Sequence, residues 1–379
     1  MKVFISAGEP SGDLHASALI RAFRPHENID VYGIAGPGMK QEGCISVADM
    51  NELNVMGIGD VIKALPRIRR VKNRVCDWCE ENRPDLVILV DFPGFHMRLG
   101  KTLKEMGIPV LYYIAPKLWA WGAWRVKKLV VAQDRLASIL PFEPEWFAKH
   151  GIDARYVGNP SVASCQMGWS ASELKKRLEI DQTMPLIAFL PGSRPGELAR
   201  HADVLAESYL ALKNEFPNIA GVTTRAPGIS DEQLKPLIDA GLKVIDRNED
   251  GYAMRADVAV AVSGTATLEL ALWNVPSVLV YRNTPTMVFL ARKLVQTTCA
   301  GLANIVLDDR PVMPELIQEY VTVDRILAEL RPLVSDEAAR NKQLDAFADL
   351  RSRFGEHDPS EQVVQMALEM LEGSTDIIK

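Results

Sequence analysis

Arg194 ends the turn Leu190-Pro191-Gly192-Ser193-Arg194, which joins an apolar stretch at 186–190 to a helical pattern at 194–213. There the first backbone N–H groups of a helix, its dipole of about half a charge and a guanidinium would converge on one anion. Pro195 suits the first helical turn. Arginine fits a diphosphate whose charge grows as a bond breaks; the plainer use of this side chain is a surface pair with Glu197. The P-loop lysine and the three-glycine dinucleotide fingerprint are both missing, so a nicotinamide cofactor is not expected.

A second turn of this kind is Ser263-Gly264-Thr265-Ala266-Thr267-Leu268-Glu269. Ser263, Gly264 and Thr265 would form another phosphate cradle from hydroxyls and free N–H groups. Glu269, one turn into the helix, would accept two hydrogen bonds from a ribose diol. Two anion-type turns so close in sequence point to a nucleoside diphosphate rather than a lone phosphate.

The first half carries carboxylates where the second carries cations. Gly8-Glu9-Pro10-Ser11-Gly12-Asp13 follows the first apolar run. Gly8 and Gly12, with Ser11 between them, let the backbone approach a ligand. Glu9 would repel a pyrophosphate and suits a sugar hydroxyl. The alternative is an ordinary tight turn capped by Asp13 or Ser11. Asp91 closes the strand pattern in LVILVDFPGFH (86–96), and Phe92 and Phe95 beside it would raise its pKa toward that of a general base. A simple helix cap is the alternative there.

Other patterns carry less. In 60–75, Val61, Ala64, Leu65, Ile68, Val71 and Val75 keep helical spacing beside Lys63, Arg67, Arg70 and Arg74, with Ile62 in the same apolar run. Such a segment either rests on an anionic membrane or phosphorylated lipid, or packs its stripe on a core with a solvated basic flank. Pro66 limits its run as one helix. Trp119, Trp121 and Trp124 would bind a sugar face or acyl chains, or fill core. Cys76-Asp77-Trp78-Cys79 falls late in a helical pattern, away from the N-terminal position of a redox pair, and no second pair completes a zinc site. The six histidines are scattered, and neither HExxH nor DxD occurs. No metal and no cofactor is expected.

The elements that must hold these residues alternate from end to end. Strand patterns lie at 2–6, 31–34, 85–90, 110–114, 135–139 and 154–157, and again at 186–190, 219–223, 242–245, 257–262 and 277–281. Continuous Val/Ile/Leu runs between helices imply parallel sheets covered on both faces, hence two doubly wound, Rossmann-like domains. Ligands of such sheets bind beyond the carboxyl ends of the strands. The expected division is 1–165, 166–340 and a helical tail at 341–379, with Ser170 and Glu173 forming a capping box just after the first boundary. The 379 residues suffice for two cores, and 47% hydrophobic with 24% charged residues is a globular composition. A net charge of −6 argues against a nucleic-acid partner. No secretory signal or membrane-length apolar run is visible, so a cytoplasmic location is expected.

The motifs also occur in a recognisable order: GEPSGD (8–13), GIAGPGM (33–39), VMGIGDV (55–61), VDFPGF (90–95), APKLWAW (115–121), LPFE (140–143), VGNP (157–160), LPGSRPGE (190–197), SGTATLE (263–269) and YRNTP (281–285). Each is weak alone. The ordered set, with the region of Asn304, resembles the lipid-A-disaccharide synthase family over about 8–320. That resemblance implies an α/β GT-B glycosyltransferase with two facing domains. It implies transfer from UDP-2,3-diacylglucosamine to 2,3-diacylglucosamine 1-phosphate (lipid X), giving a β-1,6 disaccharide 1-phosphate and UDP. The first domain would hold the acceptor and the second the UDP-sugar. Asp91 matches the family's base, Arg194 the arginine on the leaving diphosphate, Glu9 an essential glutamate, and Asn304 an asparagine beside the donor phosphates. The resemblance implies contact of Val61, Ile62, Leu65, Arg67, Ile68 and Arg70 with the inner face of the cytoplasmic membrane. It also implies a tail that crosses between domains or is exchanged in a homodimer. Asn159 stands where the family commonly has histidine, and Pro10 replaces a small residue. A UDP-N-acetylglucosamine 2-epimerase, or an inverting transferase with another lipid acceptor, is the alternative reading.

Overall fold

The computed structural model describes residues 1–26, 28–53, 58–165, 170–246 and 255–375; within these, the side chains of 58–63, 163, 289–292 and 373–375 are outside the description. The chain forms two compact units, Met1–Pro160 with Glu356–Lys379, and Ser161–Gly355.

The first unit is built on seven parallel strands: β1 (Lys2–Ala7), β2 (Asp30–Ala35), β3 (Ile45–Asp49), β4 (Leu86–Val90), β5 (Val110–Tyr113), β6 (Arg135–Ser138) and β7 (Ala154–Tyr156). Their order is β3-β2-β1-β4-β5-β6-β7. The second unit has six: β8 (Leu186–Leu190), β9 (Ala220–Arg225), β10 (Lys243–Asp246), β11 (Val258–Val262), β12 (Ser277–Tyr281) and β13 (Glu315–Ile317), in the order β10-β9-β8-β11-β12-β13. In each sheet the order reverses at one place, between β1 and β4 and between β8 and β11. Such reversals open a crevice at the carboxyl ends of the two strands. The loop carrying Glu9 and Asp91 flank the first crevice; Arg194 and Ser263 flank the second.

Fully apolar strands explain why these sheets are central. Every residue of LVILV, LIAFL and VAVAV is buried. Alternate residues feed opposite faces: Ile187, Phe189, Val258 and Val260 join one cluster, Leu186, Ala188, Ala259 and Ala261 another. Burying such side chains stabilises the fold by about 1.5–3 kcal/mol for each large one. Polar residues are therefore confined to the strand ends, where Asp91 and Ser263 stand.

Two features depart from the sequence expectation. The boundary falls at Pro160, at the Gly158-Asn159-Pro160 turn, but the tail divides. Helices Val323–Ser335 and Glu337–Phe354 stay with the second unit. After Gly355, whose φ of +65° ends the second of these, helix Pro359–Thr375 joins the first unit, burying Val363, Val364, Met366 and Ala367 in its core. The helix expected near 61–75 runs from Ile58 to Asn82 straight through Pro66. Pro66 is exposed. The capping box at Ser170 and Glu173 forms as expected, with the Glu173 carboxylate accepting from the Ser170 amide at 2.7 Å. Cys76 and Cys79 are buried in helix Ile58–Asn82, where burial pushes the Cys79 thiol up to about 12.

Candidate functional site

In the first unit, β1 and β4 lie side by side and both end at the crevice. Asp91 leaves β4 with φ +49° and Phe92 follows with φ +48°, a left-handed pair that non-glycine residues rarely adopt. The turn is held by three hydrogen bonds. The Asp91 amide donates to the Tyr113 carbonyl at 2.8 Å, while the Asp91 carbonyl accepts from His96 Nδ1 at 2.8 Å and from the Tyr112 hydroxyl at 2.7 Å. Pro93 then opens helix Pro93–Glu105. The Phe92 ring lies so close over Gly8 that a Cβ there would sit 2.3 Å from it, so only glycine lets the two loops meet.

That closeness couples the two carboxylates. Burial pushes the Asp91 carboxyl up to about 6, the Glu9 charge adds to the rise, and the Phe92 amide and Lys117 oppose it. Glu9 is the N-cap residue of helix Pro10–Phe23, yet its side chain makes no capping bond among the described residues; it accepts from the Ser11 hydroxyl at 3.1 Å. Asp13 does not cap this turn either. It is buried and accepts from the amides of Gly38 and Met39, at 2.7 and 3.0 Å. The half-buried Glu9 carboxylate is thus left with the Ser11 hydroxyl, and Asp91 is a carboxyl whose charged form burial disfavours.

Two buried groups beside this site were not singled out in the sequence. His96 has no motif partner, because its contact is a main-chain carbonyl. Glu143, in LPFE, accepts from Trp119 Nε1 at 3.0 Å and from the Leu140 and Ile139 amides at 3.1 and 3.2 Å. Its burial pushes the carboxyl up to about 7. A carboxylate four residues after an apolar strand was the available signal. The tryptophans divide: Trp119 is core, whereas Trp121 and Trp124 are exposed, with the Arg125 guanidinium 5.6 Å above the Trp121 ring. Asn159 is buried and donates to the Ile139 carbonyl at 2.9 Å.

The basic helix also divides. Ala64, Val71 and Val75 are buried, and Ile68, half-buried, packs on the core that Val71 and Val75 join. Leu65 and Arg70 are exposed and Arg67 half-buried. The side chains of Val61 and Ile62 lie outside the described residues.

In the second unit, Gly192 takes φ +105° and lets the chain turn out of β8. Arg194 is the N-cap of helix Pro195–Glu215. Here the structure shows the plainer of the two expectations, a surface pair between Arg194 and Glu197. One carboxylate oxygen accepts from the Ser193 and Arg194 amides at 2.9 and 3.3 Å, the other from the Arg194 guanidinium at 2.9 Å. The Arg194 side chain is 80% exposed, and a solvated pair of this kind adds little stability. His201, fully buried, braces the start of this helix. Its Nδ1 donates to the Glu197 carbonyl at 2.7 Å and its Nε2 accepts from the Arg282 amide at 2.8 Å.

At the end of β11 the cradle is narrower than expected. The Ser263 amide stays in the sheet, donating to Val280 at 3.0 Å, and its hydroxyl donates to the Ala300 carbonyl at 2.9 Å. That leaves Gly264 and the exposed Thr265 at the mouth of helix Thr265–Leu272. Glu269 is half-buried one turn further on. Asn304 does not offer its side chain to a ligand. It is fully buried, donates to the Met313 carbonyl and to Glu315, both at 2.8 Å, and accepts from the Met313 amide at 2.9 Å. Glu315 in turn accepts from the Ala300 and Gly301 amides at 2.7 and 2.9 Å. Asn304 is therefore a brace for the loop that meets Ser263, because its amide has no hydrogen left to give.

Comparison with known proteins agrees along the whole chain. A family model for lipid-A-disaccharide synthetase matches residues 3–367. The lipid-A-disaccharide synthase of Geobacter metallireducens is 36% identical over 374 residues, covering 98% of this chain and 97% of that protein. The synthases of Myxococcus xanthus and Haemophilus influenzae are 35% and 31% identical, with 98% and 99% of this chain covered and 97% and 98% of theirs. Among solved structures, the UDP-GlcNAc 2-epimerase of Neisseria meningitidis bound to UDP-GlcNAc superposes with a TM-score of 0.67 at 14% identity, over 97% of this chain and 100% of that one. A calicheamicin glycosyltransferase superposes with a TM-score of 0.59 at 15% identity, over 98% of each chain. At such identities the structures share the GT-B fold and nothing finer.

Proposed function

We propose, since the chain belongs to the lipid-A-disaccharide synthetase family, that it transfers 2,3-diacylglucosamine from UDP to the 6-hydroxyl of 2,3-diacylglucosamine 1-phosphate. The observation that carries the chemistry is Asp91: a carboxylate at the β1/β4 crevice, with its pKa raised to about 6. At neutral pH it is mostly ionised, yet basic enough to take a proton from an attacking hydroxyl.

The balance is that of one in-line displacement. The acceptor O6 forms a bond to the anomeric carbon, the bond from that carbon to the diphosphate oxygen breaks, and the O6 proton passes to Asp91. Configuration inverts to β. Arg194 and the Ser193 and Arg194 amides take up charge on the departing UDP, replacing the Glu197 carboxylate in their seat. Gly264 and Thr265 contact the second phosphate and Glu269 the ribose. Glu9 orients a sugar hydroxyl. Asn304 acts indirectly, through the loop it braces.

Membrane contact belongs to the same reading, because both substrates are acylated. Among the described residues no helix is long and apolar enough to cross a bilayer. Leu65 and Arg70 on helix Ile58–Asn82 would rest on the inner face of the cytoplasmic membrane, with Val61 and Ile62 on the same helix. Leu65→Asp with Arg70→Glu should abolish sedimentation with phosphatidylglycerol vesicles; unchanged sedimentation would remove this part of the proposal.

The central test mixes purified protein with both acylated substrates, without added metal, and follows UDP and disaccharide. Disaccharide from the wild type, lost in Asp91→Asn and Arg194→Ala with folding intact, is the expected result. UDP released without disaccharide would mean a different acceptor. Interconversion of UDP-GlcNAc without any transfer would overturn the proposal in favour of an epimerase.

A further inference from the structure

We propose that His96 and Tyr112 are positioning residues for the base: by gripping the Asp91 main-chain carbonyl from two sides they hold the left-handed turn that presents its carboxylate. The inference rests on Asp91 being the base.

The grip spans three adjacent strands and the following helix. Ser6 is in β1, Asp91 follows β4, Tyr112 is in β5, and His96 lies in helix Pro93–Glu105. Ser6, His96 and Tyr112 are all fully buried. The protons can be assigned by chemistry alone. A carbonyl oxygen only accepts, so His96 Nδ1, 2.8 Å from it, carries the hydrogen. In a neutral ring Nε2 is then the acceptor, and the Ser6 hydroxyl 2.7 Å away is its donor. Burial pulls the His96 pKa down to about 4, so the neutral form persists through the working range. Burial likewise keeps the Tyr112 hydroxyl protonated, and it donates to the same oxygen at 2.7 Å.

Both lone pairs of the Asp91 carbonyl are thus engaged. The peptide joining Asp91 to Phe92 cannot rotate toward a common conformation without breaking both bonds and driving the Phe92 ring off Gly8. Both residues sit at positive φ, a region that costs a non-glycine residue energy, so the turn persists only while its surroundings hold it, and the grip supplies two of the three bonds that do. Rotation would swing the carboxylate away from the acceptor hydroxyl. Misplacement of about 1 Å can lower a rate on the order of 100-fold.

The test compares His96→Leu, His96→Asn and Tyr112→Phe. The asparagine Nδ2 stands roughly where Nδ1 stands, so it restores the donor without the ring. His96→Leu should lower kcat by about 30-fold or more with KM little changed, Tyr112→Phe by about 5-fold, and His96→Asn should stay within about 3-fold of wild type. The charged groups that face Asp91 are Glu9, from the loop after β1, and Lys117, from the loop after β5; all three variants leave both in place. In His96→Leu the Asp91 pKa, read by carboxyl carbon NMR, should fall from about 6 toward the usual carboxylate range as the side chain reaches water. An asparagine variant as impaired as the leucine, a loss expressed only in KM, or an unmoved Asp91 pKa would each overturn the proposal. Wild-type turnover tests the functional reading separately. Should the wild type make no disaccharide, that reading falls, and the NMR titration still decides whether His96 sets the environment of Asp91.

Discussion

In the first unit, the turn after β4 half-buries a carboxylate and locks its backbone at positive φ. The turn after β8, at the corresponding reversal of the second sheet, leaves a guanidinium 80% exposed and its seat filled by a neighbouring carboxylate. Each has a buried neutral histidine beneath it, with Nδ1 on a main-chain carbonyl. His96 holds the carbonyl of Asp91 itself, whereas His201 holds that of Glu197 and ties it to the Arg282 amide. In the proposed roles, a base gains its pKa from lost water, so its position must be enforced by the fold. An anion seat needs oriented donors that water and ligand can still reach, so a displaceable carboxylate is enough to keep it in shape.

The contrast can be broken most sharply at Asp91. Asp91→Asn should lower kcat by about 1,000-fold, the usual range for a lost general base. The same substitution should stabilise the fold at pH 7. The folded pKa, about 6, lies above the unfolded value of 3.8, so the folded protein binds this proton more tightly. Stability is therefore lost as pH rises between those values, by about 1–3 kcal/mol, and an asparagine escapes that loss. Chemical denaturation at pH 7 should show the gain, and at pH 3.5 it should vanish.

Arg194→Ala should follow, with a loss of about 100-fold in kcat and weaker UDP binding, partly recovered by lysine. Calorimetry with UDP separates the two effects. For the wild type, kcat/KM should fall as pH drops through about 6, because the base must be ionised. In Glu9→Gln that limb should move to lower pH by a fraction of a unit, since the Glu9 charge raises the Asp91 pKa. The smallest effect belongs to Glu197→Gln. Glutamine keeps the cap but removes the competing charge, so UDP should bind about 3-fold more tightly, with stability within about 0.5 kcal/mol of wild type. Weaker binding would mean that Glu197 shapes the seat for the ligand rather than holding its place.

Much of this was readable in advance. LVILV, LIAFL and VAVAV announce central strands because they are apolar on both faces, and the turns that follow them carry the charged residues by necessity. β3 and β13 were missed. They are short, and β3 exposes two of its five residues, so their pairing depends on neighbours more than on composition. The resemblance put Asn304 beside the donor phosphates, and a motif match does not reveal which way an amide turns. His96 was passed over for the opposite reason: its partner is a main-chain oxygen, and main-chain oxygens leave no signature in sequence. Ile68 could not be told from Leu65 by spacing, since a helix with an apolar stripe and a basic flank looks the same from either side.

The return of helix Pro359–Thr375 to the first unit orders events during synthesis. The segment that packs on helix Pro10–Phe23 and on the central strand β4 follows all 195 residues of Ser161–Gly355 in the chain. A chain ended at Gly355 would hold all six strands of the second sheet and a bare apolar strip on the first, the kind of surface that chaperones bind.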